Sequence, residues 1–170
     1  MPTSADEGKP WLVNKILSRE PKSILDLGAG SGTYARLLRP SLPETHMTAV
    51  EIHAAYVSEY KLWRLYDSVI IGDIRSCDIP EADVVIIGDV LEHMSRAEAL
   101  HLWDRARDHA LKSVFLSVPI IEWPQGAVFG NEHERHVETW THHQALELHG
   151  VVDWWTGDSI GCYEALSTIQ

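Results

Sequence analysis

The chain has 170 residues, of which 45% are hydrophobic and 23% charged, and this composition is typical of one soluble globular domain. The 14 basic and 25 acidic residues give a formal net charge of −11, which disfavours nucleic acid as a partner because its phosphates would be repelled. No apolar stretch approaches the roughly 20 residues that a membrane helix needs. We therefore predict a single domain over residues 1–170 with neither a membrane nor a nucleic acid as its partner.

The first ten residues, MPTSADEGKP, are polar and include proline and glycine, so we predict a loose leader at 1–10. They lack the basic segment and the apolar core of a secretory signal. The two cysteines, Cys77 and Cys162, lie far apart with no pairing pattern, which predicts two free thiols in a reducing compartment. We therefore expect a cytoplasmic protein.

Strand-like apolar runs alternate with helix-like stretches along most of the chain. The predicted helices cover 11–17, 33–38 and 54–65, with a further one after Ser95, and the predicted strands cover 23–27, 47–50, 68–71, 83–87 and 112–118. Such alternation predicts an α/β fold with a mostly parallel sheet and helices on both faces.

The end of the chain departs from this alternation. Capping boxes at 95–98 and 141–144 predict the starts of two helices. Residues 151–155 and 163–169 are then predicted as closing strands joined by a turn at 157–161. Since so short a connection cannot cross over a sheet, these strands must pair antiparallel. The sequence therefore predicts a mostly parallel seven-stranded sheet with an antiparallel last strand.

Between the fifth strand and the second capping box, residues 119–140 show no clear period and are rich in Gly, Pro, Glu and His. A loop of this length inside a compact domain is usually functional or disordered. We predict that it is an active-site loop, and it contains His133 and His136.

A glycine turn, Gly28-Ala29-Gly30-Ser31-Gly32, follows the first strand and suits a phosphate, a dinucleotide or S-adenosylmethionine. A phosphate loop needs a Lys followed by a Ser or Thr after its last glycine, and this chain has no Lys at that place. A dinucleotide loop needs a third glycine at the position that Thr33 occupies. Asp26 at the end of the strand suits an ammonium group, the bare turn lets the backbone come close to a ligand, and the N–H groups of the following helix suit a carboxylate.

The segment ILDLGAGSGTYARLL resembles the first motif of class I S-adenosylmethionine-dependent methyltransferases. Glu51 stands where that family binds the ribose hydroxyls, Asp73 where it binds the adenine amino group, and Ile74 where it flanks the adenine ring. The segment DVVIIGDVLEHM is similar to the fourth-strand motif of the family, so the resemblance covers about 11–169.

The resemblance implies a Rossmann-like methyltransferase fold and S-adenosyl-L-methionine as the cofactor, with S-adenosyl-L-homocysteine as its product. The cofactor-binding residues that it implies are Asp26, Gly28, Ala29, Gly30, Glu51, Ile52, Asp73, Ile74 and Asp89.

The methyl acceptor is expected beyond the carboxyl ends of the strands, where open parallel sheets bind their ligands. The candidate catalytic residues there are His93, after the fourth strand, and His133 and His136 in the loop, any of which could take a proton from a hydroxyl. A metal ion is a rival use of the two loop histidines. The pattern H-E-x-x-H is missing because His136 comes one residue too early, so we predict no metal.

The acceptor itself is predicted to be a small molecule, methylated at a hydroxyl oxygen. Residues 88–91 read Gly-Asp-Val-Leu, whereas methyltransferases of base amino groups have an Asn- or Asp-Pro-Pro-aromatic motif there. Two alternatives are a cofactor-binding module that regulates a partner without turnover and a nicotinamide-dependent enzyme. The sequence makes no prediction of the oligomeric state.

Overall fold

A computed structural model describes residues 6–169, and a seven-stranded sheet lies at its centre. The strands are β1 (Ser23–Leu27), β2 (His46–Glu51), β3 (Ser68–Ile71), β4 (Ala82–Gly88), β5 (Ala110–Pro119), β6 (Val151–Thr156) and β7 (Ile160–Leu166). Their order across the sheet is β3-β2-β1-β4-β5-β7-β6. Neighbouring strands run parallel from β3 to β5, whereas β7 is antiparallel to both β5 and β6. The predicted fold class is confirmed.

Helices cover both faces of this sheet. They are α1 (Lys9–Ser18), α2 (Thr33–Leu38), α3 (Ala54–Glu59), α4 (Arg96–His109) and α5 (His142–Leu146). One hydrophobic core lies under α1, α2 and α3 and includes Leu12, Tyr34 and Val57. The second core lies under α4 and α5 and includes Trp103 and Ala145. Because β4 is covered on both sides, its apolar residues form a continuous run rather than an alternating pattern.

Both predicted capping boxes are present. The Ser95 side chain accepts a hydrogen bond from the Glu98 backbone at the start of α4, and the Glu98 side chain accepts one in return. Thr141 and Gln144 make the same reciprocal pair at the start of α5. These local signals were readable from the sequence because the cap is made within four residues.

Two elements differ from the prediction by more than two residues at an end, for reasons of backbone conformation and strand pairing. The helix predicted at 54–65 ends at Glu59, because Lys61 adopts a left-handed φ of 54° before a short 3-10 turn at Leu62–Arg64. The closing strand predicted at 163–169 lies instead at Ile160–Leu166. Gly161 is drawn into it by pairing with β5, which outweighs the low strand propensity of glycine.

The predicted leader at 1–10 overlaps the first helix. Residues 1–5 lie outside the described residues, and α1 begins at Lys9, where Pro10 suits the first turn. The Glu7 carboxylate accepts hydrogen bonds from the backbone of 158–160 and so attaches this segment to the turn between β6 and β7. Cys77 and Cys162 form no disulfide, as predicted.

Among the helices formed by residues 6–169, none combines the length and the apolar character needed to cross a membrane.

Candidate active site

A cavity of about 260 Å³ lies at the carboxyl ends of the parallel strands. Residues 28–30 after β1, 51–52 at the end of β2, 73–75 after β3 and several of 88–94 after β4 line it. The loop between β5 and α5 contributes most of the remaining wall, and the start of α2, the end of β5 and the start of β7 complete it. All of the predicted site residues except Asp26 are found among the lining residues.

The glycine turn takes a backbone path that side chains rarely allow. Gly28 and Gly30 have φ values of 78° and 52°, and the backbone N–H groups of Gly28 and Ala29 donate to the Val50 carbonyl. A Cβ atom on Gly28 would lie 2.6 Å from Cγ2 of Val90. Glycine is therefore required here both for the left-handed conformation and for the close approach of Val90, which follows β4.

Glu51 lies beneath this turn with only 4% of its surface exposed. Its Oε2 atom accepts a hydrogen bond of 2.8 Å from the Gly30 backbone, and its Oε1 atom accepts one of 2.7 Å from the His53 backbone. Two backbone donors thus hold the carboxylate in one orientation at the cavity wall. Each oxygen still has a lone pair with which to accept a hydroxyl of a ligand.

Asp73 is held by Arg75, a residue that the sequence analysis did not select. The Arg75 guanidinium donates to both carboxylate oxygens of Asp73 at 2.7–3.0 Å and also donates to Glu98 at 3.0 Å. These hydrogen bonds lower the pKa of Asp73 below its ordinary value. Asp73 is therefore a fixed, ionised acceptor at the β3 side of the cavity, next to Ile74.

Asp26 is buried behind the glycine turn and takes no part in the cavity lining. Its carboxyl accepts a hydrogen bond from the Tyr66 hydroxyl. Burial is the main cause that raises the pKa of Asp26 to about 6. Asp26 thus links the end of β1 to Tyr66.

Asp89 begins the segment after β4 in a left-handed conformation with φ of 54°. Its backbone N–H donates to the Ser117 carbonyl, and the Ser117 hydroxyl donates to its Oδ1 atom at 2.9 Å. The Lys9 ammonium group lies 4.0 Å from Oδ2. These contacts with α1 and β5 fix Asp89 at the floor of the cavity.

Glu92 lies three residues further on, in a short 3-10 turn at Leu91–His93, and is 2% exposed. Its Oε2 atom has no hydrogen-bond partner among the described residues. Burial, reinforced by the nearby Asp89 carboxylate, raises the pKa of Glu92 well above its ordinary value. A buried carboxyl oxygen without a partner is costly, and it marks this wall of the cavity as a place for a ligand.

The loop after β5 is attached to the same 3-10 turn. The Glu92 carbonyl accepts hydrogen bonds from the backbone of Val137 at 2.8 Å and of Glu138 at 3.1 Å. The Arg96 guanidinium stacks over the Trp140 ring at 3.7 Å and donates to the Thr139 carbonyl. This attachment positions the preceding loop residues over the cavity.

Two of the three predicted catalytic histidines meet at this end of the cavity. The rings of His93 and His136 are edge to face, with centroids 4.8 Å apart. The Nδ1 atom of His93 lies 3.2 Å from the Arg135 carbonyl, and that of His136 lies 2.6 Å from the Trp123 carbonyl. Burial lowers the pKa of His93 to about 4 and also lowers that of His136, so both rings are neutral near pH 7.

His133 also lines the cavity and lies near enough to Asp73 for their charges to interact. Glu134 follows it and interacts with Tyr56 and Glu51. The loop therefore places one histidine beside the β3 wall and the other beside the β4 wall. The sequence could not predict where the two histidines lie, because this segment is neither a regular helix nor a continuous strand: a 3-10 turn at Glu132–Glu134 is followed by extended backbone at Arg135.

Residues 24–112 match the protein family described as "Methyltransferase domain", and this match covers more than half of the chain. The chain belongs to this family. The resemblance to class I S-adenosylmethionine-dependent methyltransferases is thereby confirmed. A comparison with the curated proteins finds no matching sequence.

Solved structures with the same fold include the PH0226 protein from Pyrococcus horikoshii OT3, with 17% identity and a TM-score of 0.70 over 95% of this chain and 88% of that chain. Human N-acetylserotonin methyltransferase in complex with SAM has 17% identity and a TM-score of 0.68 over 95% of this chain and 52% of that chain. The SAH-bound N-terminal domain of EvdMO1 has 12% identity and a TM-score of 0.66 over 96% and 82%. This chain thus spans about half the length of the human enzyme.

Proposed function

We propose that this domain transfers a methyl group from S-adenosylmethionine to a hydroxyl oxygen of a small molecule. The observation that supports a sulfonium methyl donor is the charge of the cavity, and the pair of histidines at one end of it, His93 and His136, supports a hydroxyl acceptor. Among the described residues, five carboxyl groups line the cavity, from Glu51, Asp73, Asp89, Glu92 and Glu134, against a single arginine. Burial raises the pKa of Glu92 and of Glu134, which reduces their share of the negative charge. Such a surface attracts a cationic ligand such as a sulfonium and repels the pyrophosphate of a dinucleotide.

The donor side of the cavity has a suitable group for each part of S-adenosylmethionine. The ionised Asp73, beside Ile74, would accept the adenine amino group, and the fixed Glu51 carboxylate would accept the ribose hydroxyls. The turn at 28–30 and the floor at Asp89 would hold the amino-acid part. Asp26 would act indirectly, by holding the strand end through Tyr66, since its carboxyl is outside the lining.

When bound, S-adenosylmethionine supplies an electrophilic methyl group and leaves as S-adenosylhomocysteine. The chain's own residues would then have two tasks, to align the acceptor and to exclude water. The loop at 119–140 would perform both of these tasks and would thus be the active-site loop, since it already contacts the turn at Leu91–His93. The end of the cavity formed by His93 and His136 would receive the acceptor hydroxyl. His133, beside Asp73, would instead contact the donor.

A panel of acceptors tests this function. Phenols, sugars and hydroxy acids would be compared with matched analogues in which an amino group or a hydrogen replaces the hydroxyl, with release of S-adenosylhomocysteine as the signal. We expect turnover only with hydroxyl compounds.

His136→Ala should lower kcat by about 100-fold, the lower end of what a positioned proton acceptor contributes, with little change in cofactor affinity.

The matched control is His133→Ala, which should instead weaken cofactor binding. Equal loss of kcat in His133→Ala and His136→Ala would contradict the assignment of His136 to the methyl acceptor and of His133 to the cofactor. Methylation of the amino analogues alone would contradict the choice of oxygen. Cofactor binding without turnover on any acceptor class would favour a regulatory module.

A further inference from the structure

Three side chains that can each donate an electron pair converge at the β4 side of the cavity. One ligand atom each from Glu92, His93 and His136 lies within 4.8 Å of the other two. The sequence offered His133 and His136 as a possible metal pair, but the fold separates these two and brings His136 to His93. We propose that Glu92, His93 and His136 bind a divalent transition-metal ion.

The hydrogen bonds of both imidazoles favour this role. A backbone carbonyl can only accept, so the Nδ1 atoms of His93 and His136 carry the protons in their contacts with Arg135 and Trp123. Each neutral ring then has its lone pair on Nε2. Metal-binding histidines are typically held in this way, with the second ring nitrogen donating to a carbonyl or carboxylate.

The carboxylate gives a second and independent indication. Glu92 is 2% exposed, and its Oε2 atom has no hydrogen-bond partner among the described residues. The Asp89 carboxylate is close enough to add further negative charge. A buried carboxyl group without a hydrogen-bond partner needs a proton or a cation, and one ring nitrogen of each of the two imidazoles lies within 4.8 Å of a Glu92 carboxyl oxygen.

The ligand set indicates the type of ion. Two imidazoles and one carboxylate suit Zn²⁺, Fe²⁺ or Mn²⁺ far better than Mg²⁺, which prefers oxygen ligands. An ion at about 2.1 Å from each ligand separates two ligands by about 3.4 Å in a tetrahedral site and by about 3.0 Å in a facial octahedral one, so the three ligand atoms, which lie within 4.8 Å of one another, would move closer on binding. Three protein ligands also leave coordination positions open to the cavity.

The catalytic role of this ion rests on the function proposed above. An open coordination position would take the acceptor hydroxyl, lower its pKa and place its oxygen at the end of the cavity where His93 and His136 lie. With the ion bound, the two imidazoles would act as its ligands, and the loss of kcat expected for His136→Ala would come from loss of the ion rather than from loss of a proton acceptor. Metal binding itself requires no methyl donor, so it can be tested alone.

The test is calorimetric titration of the chelator-treated full chain with Zn²⁺, Co²⁺ and Mg²⁺. We expect one Zn²⁺ or Co²⁺ ion per chain with a micromolar or lower Kd, and Mg²⁺ weaker by at least about 10-fold. Glu92→Gln and His136→Ala should each weaken Zn²⁺ binding by at least about 10-fold, as expected for groups that hold a metal. The unfolding temperature of each variant shows whether it has folded.

The chain has ten histidines, so binding at the surface must be distinguished. His101→Ala, on an exposed position of α4, is the matched control and should keep the wild-type affinity. Equal Zn²⁺ affinity in the wild type, Glu92→Gln and His136→Ala would overturn the site, as would the absence of binding to the wild type. Titration of the same samples with S-adenosylmethionine distinguishes this failure from failure of the proposed function.

Discussion

Replacement of Glu51 by glutamine is expected to weaken the binding of S-adenosylmethionine by about 100-fold. Hydrogen bonds to a charged group contribute about 1.5–3 kcal/mol, and about 2.8 kcal/mol corresponds to 100-fold in Kd. In the wild type, the backbone N–H groups of Gly30 and His53 each donate to one oxygen of the Glu51 carboxylate. In the glutamine variant, one of these two N–H groups would face the amide NH₂ group, which cannot accept its hydrogen bond. Calorimetric titration of the wild type and of Glu51→Gln measures the effect.

Glu59→Gln provides the matched control, because Glu59 has the same side chain on the exposed surface of α3. Its Kd should equal that of the wild type. A folded Glu51→Gln variant whose Kd for the cofactor is within about threefold of the wild-type Kd would show that Glu51 has no part in recognition. So small a change in Kd is less than the loss of one hydrogen bond to a charged group would cause.

The second large effect is expected for Gly28→Ala. A left-handed conformation costs an alanine about 1–2 kcal/mol, and an overpacked contact typically costs a further 1–3 kcal/mol. The new methyl group would lie 2.6 Å from the Val90 side chain. We therefore expect the free energy of unfolding to fall by about 3 kcal/mol and the melting temperature by about 6–12 °C, as measured by denaturant and thermal unfolding.

Two further variants separate the causes of this loss. Gly126→Ala is the control, because nothing lies within 4 Å of its new Cβ, and it should change stability by less than about 0.5 kcal/mol. The double variant Gly28→Ala/Val90→Ala should lose less stability than the sum of its two single variants, since the contact is removed. Simple additivity would mean that the contact with Val90 is not a cause.

Much of the fold was readable from the sequence because its signals are local. The apolar runs of β1 and β4, the two capping boxes and the short turn before β7 each need only a few neighbouring residues. The end of α3 and the start of β7 were missed. Both depend on more distant effects, a left-handed Lys61 and the pairing of Gly161 with β5.

The residues that line the cavity were predictable where they follow β2 and β3 and much less so in the loop after β5. Glu51 and Asp73 follow strands at spacings that the sequence displays, and both line the cavity. Arg75 had a weak signal, its place two residues after Asp73. The meeting of His93 with His136 had none, since it depends on how an irregular loop folds back onto the turn after β4.

The most direct test of the central claim is calorimetric titration of the wild-type chain with S-adenosylmethionine, S-adenosylhomocysteine and NAD. The acidic cavity predicts that one molecule of either sulfur compound binds per chain with a micromolar Kd, that each raises the melting temperature by several degrees, and that NAD does neither. Binding of NAD, or no binding of either sulfur compound, would contradict the account.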